Sequence, residues 1–109
     1  MIPSQMLKGI LEGCILNIIA GETIYGYEIS QRLKSKGFGD ISEGTVYPLL
    51  LRLEKNGFLA SVRKESPSGP PRKYYTLTEP GRAEADLFVK NWLELSAAVG
   101  NLMQSKESE

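Results

Sequence analysis

Nine side chains of this 109-residue sequence carry groups suited to holding an anionic polymer: Tyr25, Tyr27, Ser42, Thr45, Tyr47, Arg52, Lys64, Arg72 and Lys73. Ser42, Thr45 and Tyr47 are close neighbours, and Lys64, Arg72 and Lys73 flank a loop rich in proline and glycine. Hydroxyls donate hydrogen bonds to phosphate oxygens and sometimes to base edges, while Lys and Arg neutralise phosphate. The groups that covalent or metal chemistry needs are scarce: the chain has no His, one Cys, and no glycine-rich motif that cradles phosphates. Its carboxylates are scattered over polar faces. The pattern points to binding rather than catalysis, and no cofactor or metal is expected.

Charge qualifies this reading. Lys plus Arg and Asp plus Glu both number 13, so the net charge is zero. Between Arg52 and Lys73, however, six basic residues stand against only Glu54 and Glu65. From Thr76 onward, Arg82, Lys90 and Lys106 face six acidic residues. A local basic surface binds phosphates even on a neutral molecule. The same distribution also describes two ordinary solvated surfaces, and charge alone favours that plainer reading.

The elements that must position these groups follow from periodicity. Residues 40–59 predict a helix capped by Ser42, with Val46, Leu49, Leu50 and Leu53 on one apolar face and Arg52 and Lys55 off it. Asn56-Gly57 stops that helix, with glycine able to take the left-handed position beyond the cap. Pro48 lies six residues after Ser42 and removes one intrahelical hydrogen bond, which allows a kinked or late-starting helix. Upstream, residues 5–20 predict one helix that is apolar over much of its circumference, with Cys14 as a small core residue. Residues 24–36 predict a second, with Ile29 and Leu33 inward and Arg32, Lys34 and Lys36 outward. Tyr25 and Tyr27 sit at its start, either as clamps on a polymer backbone or simply packed with their hydroxyls wet. Gly37-Phe38-Gly39 breaks it, giving helix, short turn, helix.

After Gly57 the period changes to two. Residues 58–64 and 72–78 predict strands joined by the loop ESPSGPP, and the hairpin's base holds Arg63, Lys64, Arg72 and Lys73. Three helices followed by a basic hairpin describe a winged helix-turn-helix.

Thr78-Glu79-Pro80 then opens a last helix. Along it Ala85, Phe88, Trp92, Leu95, Val99 and Leu102 recur at alternating steps of three and four. That a/d seam, in a helix of about 25 residues, predicts dimerisation. Trp92 is either ordinary core or, meeting its own copy at a two-fold seam beside Phe88, the floor of a flat apolar cavity. The polar tail, residues 104–109, is expected to fray. The fold class is therefore mainly α (α+β), a winged helix-turn-helix with a long C-terminal dimerisation helix. Residues 1–78 form the DNA-binding unit, and 79–109 the dimerisation helix and tail. The 41% hydrophobic and 24% charged content is that of a soluble globular domain. The longest apolar run, near Cys14, is too short to span a bilayer. No basic leader precedes it and one Cys cannot form an internal disulfide, so the expected location is the cytoplasm.

At this level the chain resembles the PadR family of bacterial transcriptional regulators. The stretches YGYEISQRL (25–33), SEGTVYPLLLRLEKNGFL (42–59) and PPRKYYTLTEPG (70–81) carry the resemblance in order and spacing. With one long helix after the wing, it is similar to the short subfamily. The resemblance implies a homodimeric repressor on a palindromic operator in double-stranded DNA, released in many members by a small molecule. In some short members a tryptophan of this helix sandwiches planar aromatic drugs between subunits, which implies multidrug or aromatic ligand sensing at Phe88 and Trp92. The competing readings are a winged helix that uses its basic face on a protein partner and a regulator of another winged-helix family.

Overall fold

A computed structural model describes residues 2–108, with side chains to Lys106. Eight elements follow in order: α1 (Ser4–Leu7), α2 (Leu11–Ile19), β1 (Ile24–Tyr25), α3 (Gly26–Ser35), α4 (Glu43–Lys55), β2 (Leu59–Lys64), β3 (Arg72–Leu77) and α5 (Glu79–Ser108). The architecture is the expected winged helix-turn-helix with a long last helix. Its core joins Ile15, Leu16 and Ile19 of α2 to Ile29 and Leu33 of α3, Val46, Leu50 and Leu53 of α4, and Leu59 and Tyr75 of the sheet. Burying each such side chain stabilises the fold by roughly 1.5–3 kcal/mol.

Both helices of the helix-turn-helix end in the same way. Gly37 (φ 102°) and Gly57 (φ 84°) adopt left-handed backbone, which glycine alone takes without a Cβ clash. Phe38 N then donates to Leu33 O and Phe58 N to Leu53 O, while Gly37 N donates to Lys34 O and Gly57 N to Glu54 O. These are Schellman caps, and each following Phe packs against the core.

Two expectations need correction. The single helix over 5–20 is two, separated by a turn in which Ile10 N donates to Leu7 O. Gly9 is a poor helix former, and the turn lets both Leu7 and Leu11 reach the core. The helix over 24–36 begins two residues late, because Ile24 and Tyr25 form β1. Ile24 pairs with Tyr75 and Tyr25 with Tyr74, so the hairpin becomes a three-stranded antiparallel sheet in the order β1-β3-β2. Two β-prone residues satisfy their backbone on the free edge of β3, which no periodicity could reveal.

Thr78 caps α5 as predicted: Gly81 N donates to Thr78 Oγ1 at 3.0 Å, and Thr78 Oγ1 donates to Gly57 O at 2.6 Å. Gly81 is required for closeness, since a Cβ there would collide with the Phe58 carbonyl. Helix α5 is 30 residues long and carries the molecule to 60 × 29 × 20 Å. It runs through most of the polar tail; Glu109 lies outside the described residues.

Candidate nucleic-acid interface

Helix α4 starts where the cap predicts. Ser42 Oγ accepts from Thr45 N at 3.3 Å and lies 3.2 Å from Thr45 Oγ1. Val46, Leu50 and Leu53 are buried, so Ser42, Glu43, Thr45, Tyr47 and Pro48 face solvent, with Tyr47 51% exposed. Pro48 lies inside the helix, which starts on time at Glu43. The bond that Pro48 cannot make would fall on Gly44 in the exposed first turn, where water is available.

Tyr25 and Tyr27 meet this surface from the side. A hollow of about 210 Å³ is lined by both, by Glu43 and Tyr47 of α4, and by Lys73 of β3. Gly26 lets the chain pass close beneath, since a Cβ there would lie 3.2 Å from the Tyr75 ring. Four expected site residues from four elements are thus brought together. Ser42, Thr45 and Arg52 line a different depression, shared with the N-terminal segment.

The four wing cations divide by face. Cα pairs Arg63–Lys73 and Lys64–Arg72 alternate across the hairpin. On the inner side, Lys73 Nζ lies 3.0 Å from Glu54 Oε1, and Glu54 accepts from Ser61 Oγ at 2.6 Å. The Ser61 hydrogen bond, then Lys73, holds the Glu54 carboxyl below its ordinary value; Lys73 is raised by the same carboxylate. Lys73 therefore tethers the wing to α4, and its charge is partly neutralised. Arg52 likewise pairs with Glu12 of α2. On the outer side Lys64 and Arg72 stay exposed, lying over the rings of Tyr74 and Tyr25 respectively. Tyr74 is a member of this surface that type and charge did not single out, although strand alternation puts it on the face of Arg72.

A second region lies along α5. Ala85 is buried within its own chain, and Asn17 Nδ2 donates to its carbonyl at 3.2 Å. Phe88 rests on α2 at Gly13, where any Cβ would clash with its ring. Beyond it Trp92, Leu95, Val99 and Leu102 are exposed, Trp92 by 44%. Phe88 and Trp92 line one hollow of about 560 Å³ with Cys14 and Phe38. Burial pushes the Cys14 thiol up, which keeps it protonated. Among the described residues no group of His, Cys, Asp and Glu could hold a metal, and no helix is long and apolar enough to cross a membrane.

Residues 15–87 match the sequence model of the transcriptional regulator PadR-like family. A crystal structure of a PadR-like transcriptional regulator from Bacillus cereus is 49% identical, with a TM-score of 0.81 over 92% of this chain and 97% of that one. A Streptococcus transcriptional regulator is 42% identical, with a TM-score of 0.80 over 93% and 99%. Bacillus subtilis PadR, solved in complex with operator DNA, is 27% identical with a TM-score of 0.66; the match covers 77% of this chain and 46% of that longer one.

Proposed function

This chain belongs to the transcriptional regulator PadR-like family, and on that premise we propose that it acts as a homodimeric repressor on a palindromic operator in double-stranded DNA. The observation that carries the proposal is the gathering of Tyr25, Tyr27, Tyr47 and Lys73 around one hollow beside the exposed start of α4. Helix α4 is the recognition helix. Thr45 and Tyr47 address base edges, and Ser42, Tyr25 and Tyr27 address the backbone. Lys64, Arg72 and Lys73 of the wing meet phosphate or an adjacent minor groove, and Arg52 meets phosphate at the far end of α4. Lys73 and Arg52 do so at the cost of exchanging a carboxylate partner. The operator complex of the Bacillus subtilis relative supports the partner assignment.

The division of labour follows the chain: residues 1–78 bind DNA and 79–109 pair two protomers. Trp92, Leu95, Val99 and Leu102 form the seam, and Phe88 and Trp92 the floor of a pocket for a planar aromatic small molecule that releases the operator. The 560 Å³ hollow supports that pocket. A Trp92 fluorescence unchanged across a panel of planar aromatic cations removes it.

Salt dependence tests the function itself. Binding to a duplex from upstream of its own gene should weaken steeply, with a log–log slope of about −0.9 per phosphate neutralised. A flat response, or no duplex binding beside capture of a protein partner, would turn the basic face into a protein-interaction surface.

A further inference from the structure

Lys64 and Arg72 are Cα partners at the loop end of the β2–β3 hairpin, on its outer face. Two like charges placed directly opposite repel each other. Each side chain instead reaches diagonally along the sheet to an aromatic ring. Lys64 Nζ lies 5.0 Å from the centroid of the Tyr74 ring, and Arg72 Cζ 4.9 Å from that of Tyr25. The two tyrosines are themselves Cα partners across β1 and β3, with ring centroids 5.5 Å apart. The register explains the reach: Tyr74 is opposite Val62 and Tyr25 opposite Tyr74, so each ring sits two positions along from its cation.

The contrast with Lys73 and Arg52, the two cations of this region that are paired with carboxylates, gives the arrangement its meaning. Lys73 pairs with Glu54 and Arg52 with Glu12, whereas no ion pair involves Lys64 or Arg72 among the described residues. A carboxylate partner would orient a cation and quench it together. A ring orients it and leaves the charge whole.

We infer that Tyr74 and Tyr25 are positioning residues that hold Lys64 and Arg72 side by side as a fully charged anion clamp on the wing. The clamp takes one backbone phosphate of duplex DNA, whose charge relieves the repulsion between the two cations. This rests on the DNA-binding reading above and changes the part given to Tyr25: its ring serves Arg72 instead of gripping the backbone alone.

The test is a double-mutant cycle on the full chain, combining Tyr74→Leu with Lys64→Ala and measuring affinity for a duplex from upstream of its own gene at low salt. Tyr74→Leu should weaken binding about two- to fivefold, the size of an exposed cation–π contact. Added to Lys64→Ala it should cost nothing further, and Tyr74→Phe should restore the coupling. Additive losses would overturn the inference. NMR of the free protein supplies a readout that folding alone does not move. The Lys64 ε-methylene should be ring-shifted upfield in the wild type and in Tyr74→Phe but not in Tyr74→Leu. Absence of that shift in the wild type overturns the platform whatever the DNA does. A shifted Lys64 in a wild type that binds no duplex instead overturns the DNA reading, and the clamp's use with it.

Discussion

Arg72 and Thr45 both present polar atoms to solvent, yet they would report on different parts of a duplex. Arg72 is exposed with its charge unpaired, so Arg72→Ala should weaken binding to all sequences alike and reduce the salt slope by about 1. Thr45 lies in the first turn of α4, where its backbone N–H donates to the capping Ser42 Oγ and its hydroxyl shares a second hydrogen bond with the same oxygen; the backbone bond survives loss of the side chain. Thr45→Ala therefore keeps the helix start while removing a hydroxyl from the reading face. It should narrow the gap between operator and random duplex by about 1 kcal/mol, read by competition binding. Unchanged affinity and selectivity in both variants would remove the assigned DNA face. The donors themselves were legible from residue type and position. Their neutralising partners were not, because Glu12 lies 40 residues from Arg52, and no local pattern links them. Gly13 and Gly81 were equally silent, since what each makes room for, Phe88 and the Phe58 carbonyl, belongs to a distant or separately folded element.

The wing and α4 are joined by a small polar network, and its pH dependence is an element-scale consequence. Hydrogen bonds from Ser61 and Lys73 lower the Glu54 carboxyl. A carboxyl depressed on folding stabilises the fold fully above its unfolded value, roughly 4.3 for glutamate, and this is lost as pH falls through the folded value. The wild type should thus melt higher than Glu54→Gln at neutral pH, and the gap should close below about pH 4. A gap that persists in acid would show that the network does not depend on the carboxylate. The helices, strands and caps were readable because each has a period or a stop signal several residues long. Strand β1 has neither: Ile24 and Tyr25 are extended only because β3 offers them an edge. The break at Gly9 was hidden in the same way, by apolar residues that continue on both sides of it.

On the scale of the whole molecule, the part of α5 beyond Phe88 is left uncovered among the described residues. The helix's first turns pack on α2 through Ala85 and Phe88, but Trp92, Leu95, Val99, Leu102 and Met103 stand exposed along one side. An apolar stripe of this length supports the proposed pairing of two copies through α5. The chain should therefore sediment as a dimer at micromolar concentration. Val99→Asp, far from the winged domain, should leave the fold intact and weaken the dimer by at least about 2 kcal/mol, roughly thirtyfold. A folded monomer in the wild type would remove the two-half-site arrangement. The apolar stripe was legible from its spacing, but the point at which it leaves the chain's own core was not. Ala85 serves the chain's own core, and the uncovered surface begins near Trp92. The most direct measurement of the central claim is a footprint of the protein on the DNA upstream of its own gene. Two protected blocks on one face of the duplex, centred about one helical turn apart, are predicted for paired α4 helices. No protection, or a single block without two-fold symmetry, would contradict it.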